Sequence, residues 1–318
     1  MSKGIVPSGN TNLPAKKTAR YVRASKSENT QRTYAAAWRD FSQFCEWKNV
    51  SPLPASPETI VAYLEFIAEG SKASTIEVRL AAIRFAHKTK KCPDPTDDEL
   101  VRAVHAGIRR EIGVAPDRKS PITADKLVRL IEVQPPTLAG VRNCALILLG
   151  FAGAFRRSEL VGLDRADIDL SHEKVVVNLR RSKTDQEGKG MKKNIPAMSN
   201  ASTLCPVSAL SKWLLVSGIN DGPLFRKIDR WGNIGDDRLT DHAVATIIKD
   251  AAREAGLDEK ELSGHSLRAG FVTQSARAGV PEWQIQEVTG HKSATVLRGY
   301  IRDEGVGQQD AIKKALGG

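Results

Sequence analysis

Soon after Ser27 the hydrophobic positions recur at three- and four-residue steps, through Tyr34, Trp38, Phe41, Phe44 and Cys45, and this spacing predicts an amphipathic helix. A second helix is predicted from Ser56 and Pro57, a cap followed by the residue best suited to a first turn, as far as Gly70, with Ile60, Tyr63, Leu64 and Ile67 on its inner face. Ser74 and Glu77 have the spacing of a capping box and open a third, where Ile76, Leu80 and Ile83 share a face and Arg79, Arg84 and Lys88 lie elsewhere around the helix. Asp97 to Arg110 keeps Leu100, Val101, Val104 and Ile108 in helical register. Four such helices predict an all-α unit over residues 27–112.

Residues 113–121 hold a glycine, two prolines and Asp117, Arg118 and Lys119, a mixture that favours an exposed connection and sets the domain boundary. In the second domain, 122–318, Thr123 to Val133 and Val141 to Gly153 read as helices, the latter apolar nearly all round and so central to the core. The period then changes. Ala166 to Leu170, Lys174 to Leu179 and Lys193 to Pro196 are short runs between turn residues, as expected of a small antiparallel sheet. Helical patterning returns at Val207 to Val216, Asp241 to Ala255, Ser266 to Ala278 and Pro281 to Val288. The expected fold is mainly α with one small antiparallel sheet.

Charge narrows the partners. The 318 residues carry 48 Lys and Arg against 37 Asp and Glu, a surplus of +11 that suits phosphate backbones or anionic membrane surfaces. With 41% hydrophobic and 27% charged residues the composition is that of a globular protein. No apolar run reaches the length of a membrane span, the best, Cys144 to Phe155, stopping at Arg156 and Arg157, so nothing is expected to span a membrane. Residues 1–26 form a basic tail without the apolar core of a secretory signal, and the expected location is cytoplasmic. Cys45, Cys92, Cys144 and Cys205 are scattered without a C-x-x-C pair or nearby His, so neither a disulfide framework nor a zinc site is expected.

Four clusters carry candidate chemistry. Tyr300 is the one tyrosine of the second domain and lies among small and basic residues, from Thr289 to Arg302. His265 and Arg268 are three residues apart, hence on one face of a helix. Arg156 and Glu159, directly after the most apolar helix, share a face by the same spacing. Lys183 follows Arg180 and Arg181 on a turn after a strand. Taken singly, each has an ordinary explanation: a packed tyrosine, a capped helix start, a surface ion pair and a charged hairpin tip. Their joint order in a basic chain is the informative feature.

That order, Arg156, Lys183, His265-x-x-Arg268, His291 and, nine positions later, Tyr300, resembles the tyrosine recombinase (phage integrase) family, and within it the simple Cre/Xer type. The resemblance runs from about Ser27 to the end and is most specific in the last third. It implies a helical core-binding domain that holds DNA, followed by an α+β catalytic domain. Tyr300 is then the nucleophile, Arg156, Lys183, His265, Arg268 and His291 are its catalytic partners, and Glu159 supports Arg156. It also implies a short helix over about 306–316 that docks on a neighbouring protomer, giving a homotetramer on double-stranded DNA with paired inverted half-sites. With only 26 residues before the first domain, no separate arm-binding module is expected.

The chemistry agrees with those roles. Cleaving a phosphodiester through a covalent intermediate needs a nucleophile, cations for the transition state and an acid for the leaving oxygen. The sequence shows no metal-binding carboxylate cluster, so protein cations are expected to supply the charge with no cofactor. Arg156 and Arg268 can present planar donor forks to phosphate oxygens. Lys183 is the expected proton donor to the 5′ oxygen, His265 helps accept the phenolic proton, and His291 donates to a phosphate oxygen. The expected activity is site-specific recombination through a 3′-phosphotyrosine and a Holliday junction. A telomere resolvase or type IB topoisomerase shares that chemistry, and a catalytically inactive DNA-binding protein is the alternative of another class. In the first domain Arg32, Arg39, Arg79, Arg84 and Lys88 are the candidates for DNA contact.

Overall fold

The computed structural model describes residues 26–114, 119–180, 190–198, 203–291, 297 and 316. The chain divides into two compact units, Met1–Asp117 and Arg118–Gly318.

In the first unit, helix α1 (Glu28–Lys48) is capped by Ser27, whose side chain accepts from the Thr30 N–H. Helix α2 (Pro57–Ala68) is capped by Ser56 in the same way, with Pro57 in its first turn. Helix α3 (Ala73–Thr89) starts before the predicted Ser74: Lys72 is its N-cap, without a side-chain cap bond. The capping box does not form, because Glu77 turns instead to Arg109 on helix α4 (Glu99–Ile112) and makes a salt bridge there. Asp98 caps α4 through the Leu100 N–H, and Leu100, one of the residues in helical register, is 54% exposed while Val101 is buried. Helix α1 packs on α3 and α2 on α4. Between them Phe41, Phe44, Cys45, Ile60, Tyr63 and Leu64 form the core, with the Phe41 and Tyr63 rings 5.0 Å apart. Tyr63 is fully buried and donates its hydroxyl to Asp40.

The second unit is built around helix α6 (Leu138–Ala152), whose residues Ala145 to Leu149 are all buried, as its all-round apolar sequence predicts. Helix α5 (Ala124–Glu132) precedes it, and a short helix α7 (Arg157–Gly162), which the periodicity did not reveal, follows. Six residues are too few for a 3.6-residue period to show. Strands β1 (Ile168–Leu170), β2 (Lys174–Leu179) and β3 (Met191–Pro196) make an antiparallel sheet in the order β1-β2-β3, with Val177 opposite both Ile168 and Lys193. Helix α8 (Pro206–Ser217) packs on α6. A second, two-stranded sheet, β4 (Arg226–Ile228) with β5 (Ile234–Arg238), was not predicted; its strands are short, bulged and largely polar, and so lack a period-2 apolar pattern. Helices α9 (Asp241–Glu254), α10 (His265–Arg277) and α11 (Glu282–Thr289) follow.

Candidate active site

The turn from α6 into α7 is shaped by three residues. A Cβ at position 153 would lie 2.1 Å from the Phe155 ring, so only glycine fits beside that buried aromatic. Ala154 adopts a left-handed backbone (φ 47°), a conformation that costs a non-glycine residue roughly 1 kcal/mol and that concentrates at functional turns. Arg156 then sits at the N-cap of α7. Its N–H donates to Glu159 Oε2 (2.9 Å) and its Nη1 to Glu159 Oε1 (2.6 Å). The side chains of this pair are 17% and 4% exposed, so it is a buried pair rather than the surface one that sequence spacing alone allows.

Helix α10 brings His265 and Arg268 to the same place. His265 is the first helical residue and is exposed, while Arg268, one turn on, is 1% exposed. The Arg268 fork donates from Nη1 to Ala154 O (2.8 Å) and from Nη2 to Thr289 O (2.5 Å). It thus joins the turn that bears Arg156 to the end of α11. Close packing holds α10 in position: Ile122 donates its N–H to Ser266 O, and Gly270 lies so near Ile122 that a Cβ there would meet the Ile122 carbonyl oxygen at 2.0 Å.

His291 follows the left-handed Gly290 (φ 68°) that ends α11. Its Nε2 is 3.1 Å from Arg268 Nη2 and its Nδ1 is 2.9 Å from Thr289 Oγ1. The Thr289 hydroxyl gives its proton to Ile285 O (2.7 Å), so its oxygen accepts from His291 Nδ1–H. Nε2 is therefore an acceptor for Arg268. Burial, then the charges of Arg268, Arg156, His265 and Lys193, push the His291 pKa down to about 4. Beneath this turn Leu297 is buried with Val272 and Ile285.

Arg156, Glu159, His265, Arg268 and His291 are thus gathered by α7, α10 and the end of α11. Lys183 and Tyr300, and the segment 306–316 apart from Leu316, lie outside the described residues. The sequence pattern places Lys193 only as a strand residue. In the structure it is 4% exposed and its Nζ donates to Gly153 O (2.5 Å) and Val288 O. Its signal was available in the alternation of β3, where Lys193 and Ile195 point inward while Lys192 and Asn194 point out. Thr289, which fixes the His291 tautomer, was missed for want of any pattern at all.

The five DNA-contact candidates of the first unit fall into two groups. Arg39 and Lys88 are exposed, and Arg32 is 79% exposed beside Glu28. Arg84 binds Asp94 and Thr96. Arg79 is held most firmly, 3.3 Å from Asp40 with its side chain 22% exposed and its guanidinium over the Tyr63 ring.

A model of the phage integrase family matches residues 121–305, which span every residue of this site. The chain belongs to that family. It is a tyrosine recombinase, 40% identical over 302 residues to the integrase/recombinase xerD homolog of Selenomonas ruminantium, with 94% of this chain and 88% of the relative covered. It is 25% identical over 302 residues to recombinase cre of Escherichia phage P1, covering 88% of this recombinase and 86% of the phage protein. In fold it is similar to a lambda integrase solved as a dimer bound to a COC' core site (TM-score 0.62, 18% identity, 92% of this chain and 96% of that one). A lambda integrase tetramer bound to a Holliday junction gives the same score at 17% identity, with 90% of this chain and 76% of that one covered. No helix among the described residues of this recombinase is long and apolar enough to cross a membrane.

Proposed function

We propose that this recombinase cuts and rejoins double-stranded DNA at paired inverted half-sites, with Tyr300 as the nucleophile and a 3′-phosphotyrosine as the intermediate. The observation that supports this most is that buried Arg268 bonds both Ala154 O, two residues before Arg156, and His291, with exposed His265 one turn before Arg268 on α10. Two guanidinium groups fixed by a carboxylate and by backbone carbonyls cannot reorganise when a phosphate arrives, and such preorganised cations stabilise developing negative charge.

In this reading a phosphate approaches past His265, and one of its oxygens replaces His291 as the partner of Arg268. The added negative charge raises the His291 pKa, so that Nε2 takes a proton and donates to the phosphate. His265 helps remove the phenolic proton of Tyr300, whose oxygen attacks phosphorus; the P–O5′ bond breaks and Lys183 protonates the departing oxygen. A 5′-hydroxyl of a second strand reverses the step without ATP, because the phosphotyrosine retains the bond energy. Glu159 holds Arg156 and takes no proton. The first unit supplies phosphate contacts chiefly from exposed Arg32, Arg39 and Lys88, with Arg84 and Arg79 contributing less because Asp94 and Asp40 hold them. The segment 306–316 joins protomers into a tetramer that passes through a Holliday junction, and the protein works on DNA in the cytoplasm.

The experiment is protection mapping on DNA from the flanks of its own coding region, followed by incubation with a nicked duplex carrying the protected site. A covalent protein–DNA adduct, formed without metal or ATP, is expected. Relaxation of any supercoiled plasmid without a preferred site indicates a topoisomerase instead, and site binding without adduct indicates a DNA-binding protein that does not cleave.

A further inference from the structure

The cation at the heart of β3 has no part in the roles above. Lys193 is almost wholly buried, lies 4.8 Å from the centre of the Phe155 ring, and gives two of its N–H groups to backbone carbonyls on separate segments, Gly153 O and Val288 O. Arg268 binds the next carbonyl along each of the same segments, Ala154 O and Thr289 O. The two cations are therefore successive rungs between the same two pieces of backbone. One piece leads within three residues to Arg156 and the other within three to His291. The rungs differ in their anchor, since Arg268 hangs from α10 and Lys193 from the sheet.

We infer that Lys193 is a positioning residue for strand cleavage: it fixes the separation of the Arg156 turn and the His291 turn and ties both to β3. The inference rests on the recombinase reading above. A buried lysine is an expensive way to join two carbonyls, because burial penalises its charge and Arg156 and Arg268 add repulsion, with Glu159 the opposing attraction. An apolar residue fills that space at no such cost, as Ile195 does two positions on. What the lysine adds is reach and two donors, and a 1 Å error in the placement of catalytic groups is enough to slow a reaction 10²-fold. The strand that bears it also flanks residues 180–190, the stretch of sequence that contains Lys183.

Lys193→Met keeps the length and removes both donors; Lys193→Arg keeps donors and charge. Site affinity, thermal midpoint and single-turnover cleavage of a nicked duplex carrying the protected site are compared with the parent. The methionine variant is expected to bind within about 3-fold of the parent and to cleave at least about 30-fold more slowly, with the arginine variant restored to within about 5-fold. Parental cleavage by the methionine variant overturns the inference, and so does an equal fall in binding, midpoint and cleavage, which assigns Lys193 to folding alone. If the methionine variant does not fold, the arginine variant decides: parental cleavage supports positioning by the two donors, and a folded, binding but inactive arginine variant overturns it. Absence of adduct in the parent itself refutes the recombinase reading rather than this one.

Discussion

Arg268 donates to His291 across 3.1 Å, and Thr289, accepting from the other ring nitrogen, sets the direction of that bond. The pair makes a neutral imidazole the resting state. The folded pKa of about 4 lies below the value near 6.5 of a free histidine. Between those values the unfolded chain binds a proton that the folded chain does not, so this group makes stability rise with pH from about 4 to 6.5 and adds no slope above. His291→Asn removes that contribution. The gap in urea midpoint between pH 7 and pH 5 should be smaller in the variant than in the parent, and an equal gap contradicts the assignment.

Glu159 is 7% exposed and binds Arg156 through both carboxylate oxygens. Glu159→Ala leaves a buried cation without its partner, and folding stability is expected to fall by about 3 kcal/mol in chemical denaturation. Glu159→Gln keeps one acceptor and fills the space. It should fold, with a smaller loss, and cleave about 10-fold more slowly if Arg156 is loosened.

Two glycines of α10, Gly270 within it and Gly264 at its N-cap, should respond differently to alanine. At Gly270 the new Cβ meets the Ile122 carbonyl oxygen at 2.0 Å, and backbone must move, for a cost of about 2 kcal/mol or more. At Gly264 it meets Arg157 Cδ and Cγ at 2.1 and 2.4 Å, side-chain atoms that a change of rotamer displaces without moving backbone. Gly270→Ala should therefore lower both the thermal midpoint and cleavage, and Gly264→Ala should lower the midpoint less.

Arg79 shares the Asp40 carboxylate with Tyr63, the fully buried aromatic of the first core. Arg79→Ala is expected to lower stability more than DNA affinity. Arg39→Ala with Lys88→Ala should leave stability within about 0.5 kcal/mol, weaken site binding, and reduce its salt slope by up to about two phosphate contacts. Equal effects of the two sets on both measurements contradict this division.

Most of the helices were legible because each carries its own period and punctuation: Ser27 and Ser56-Pro57 mark starts that the structure keeps. The start of α3 was not, because the competing partner of Glu77, Arg109, is 32 residues away. The same distinction divides the site. Arg156, Glu159, His265 and Arg268 were found through local spacing, and His291 through its place in the ordered set. Lys193 and Thr289 act through backbone carbonyls and a ring nitrogen supplied by other segments or by a turn. Such roles leave only an incongruous residue, here a lysine on the apolar face of a strand.

Cleavage in this mechanism joins Tyr300 covalently to DNA. The most direct measurement is mass analysis of the proteolysed adduct from a nicked duplex carrying the protected site, with Tyr300→Phe in parallel. The parent should yield a nucleotide-bearing peptide with the modification on Tyr300, and the phenylalanine variant should bind the site with no adduct. A modification on another residue, or an adduct that survives in Tyr300→Phe, contradicts this mechanism.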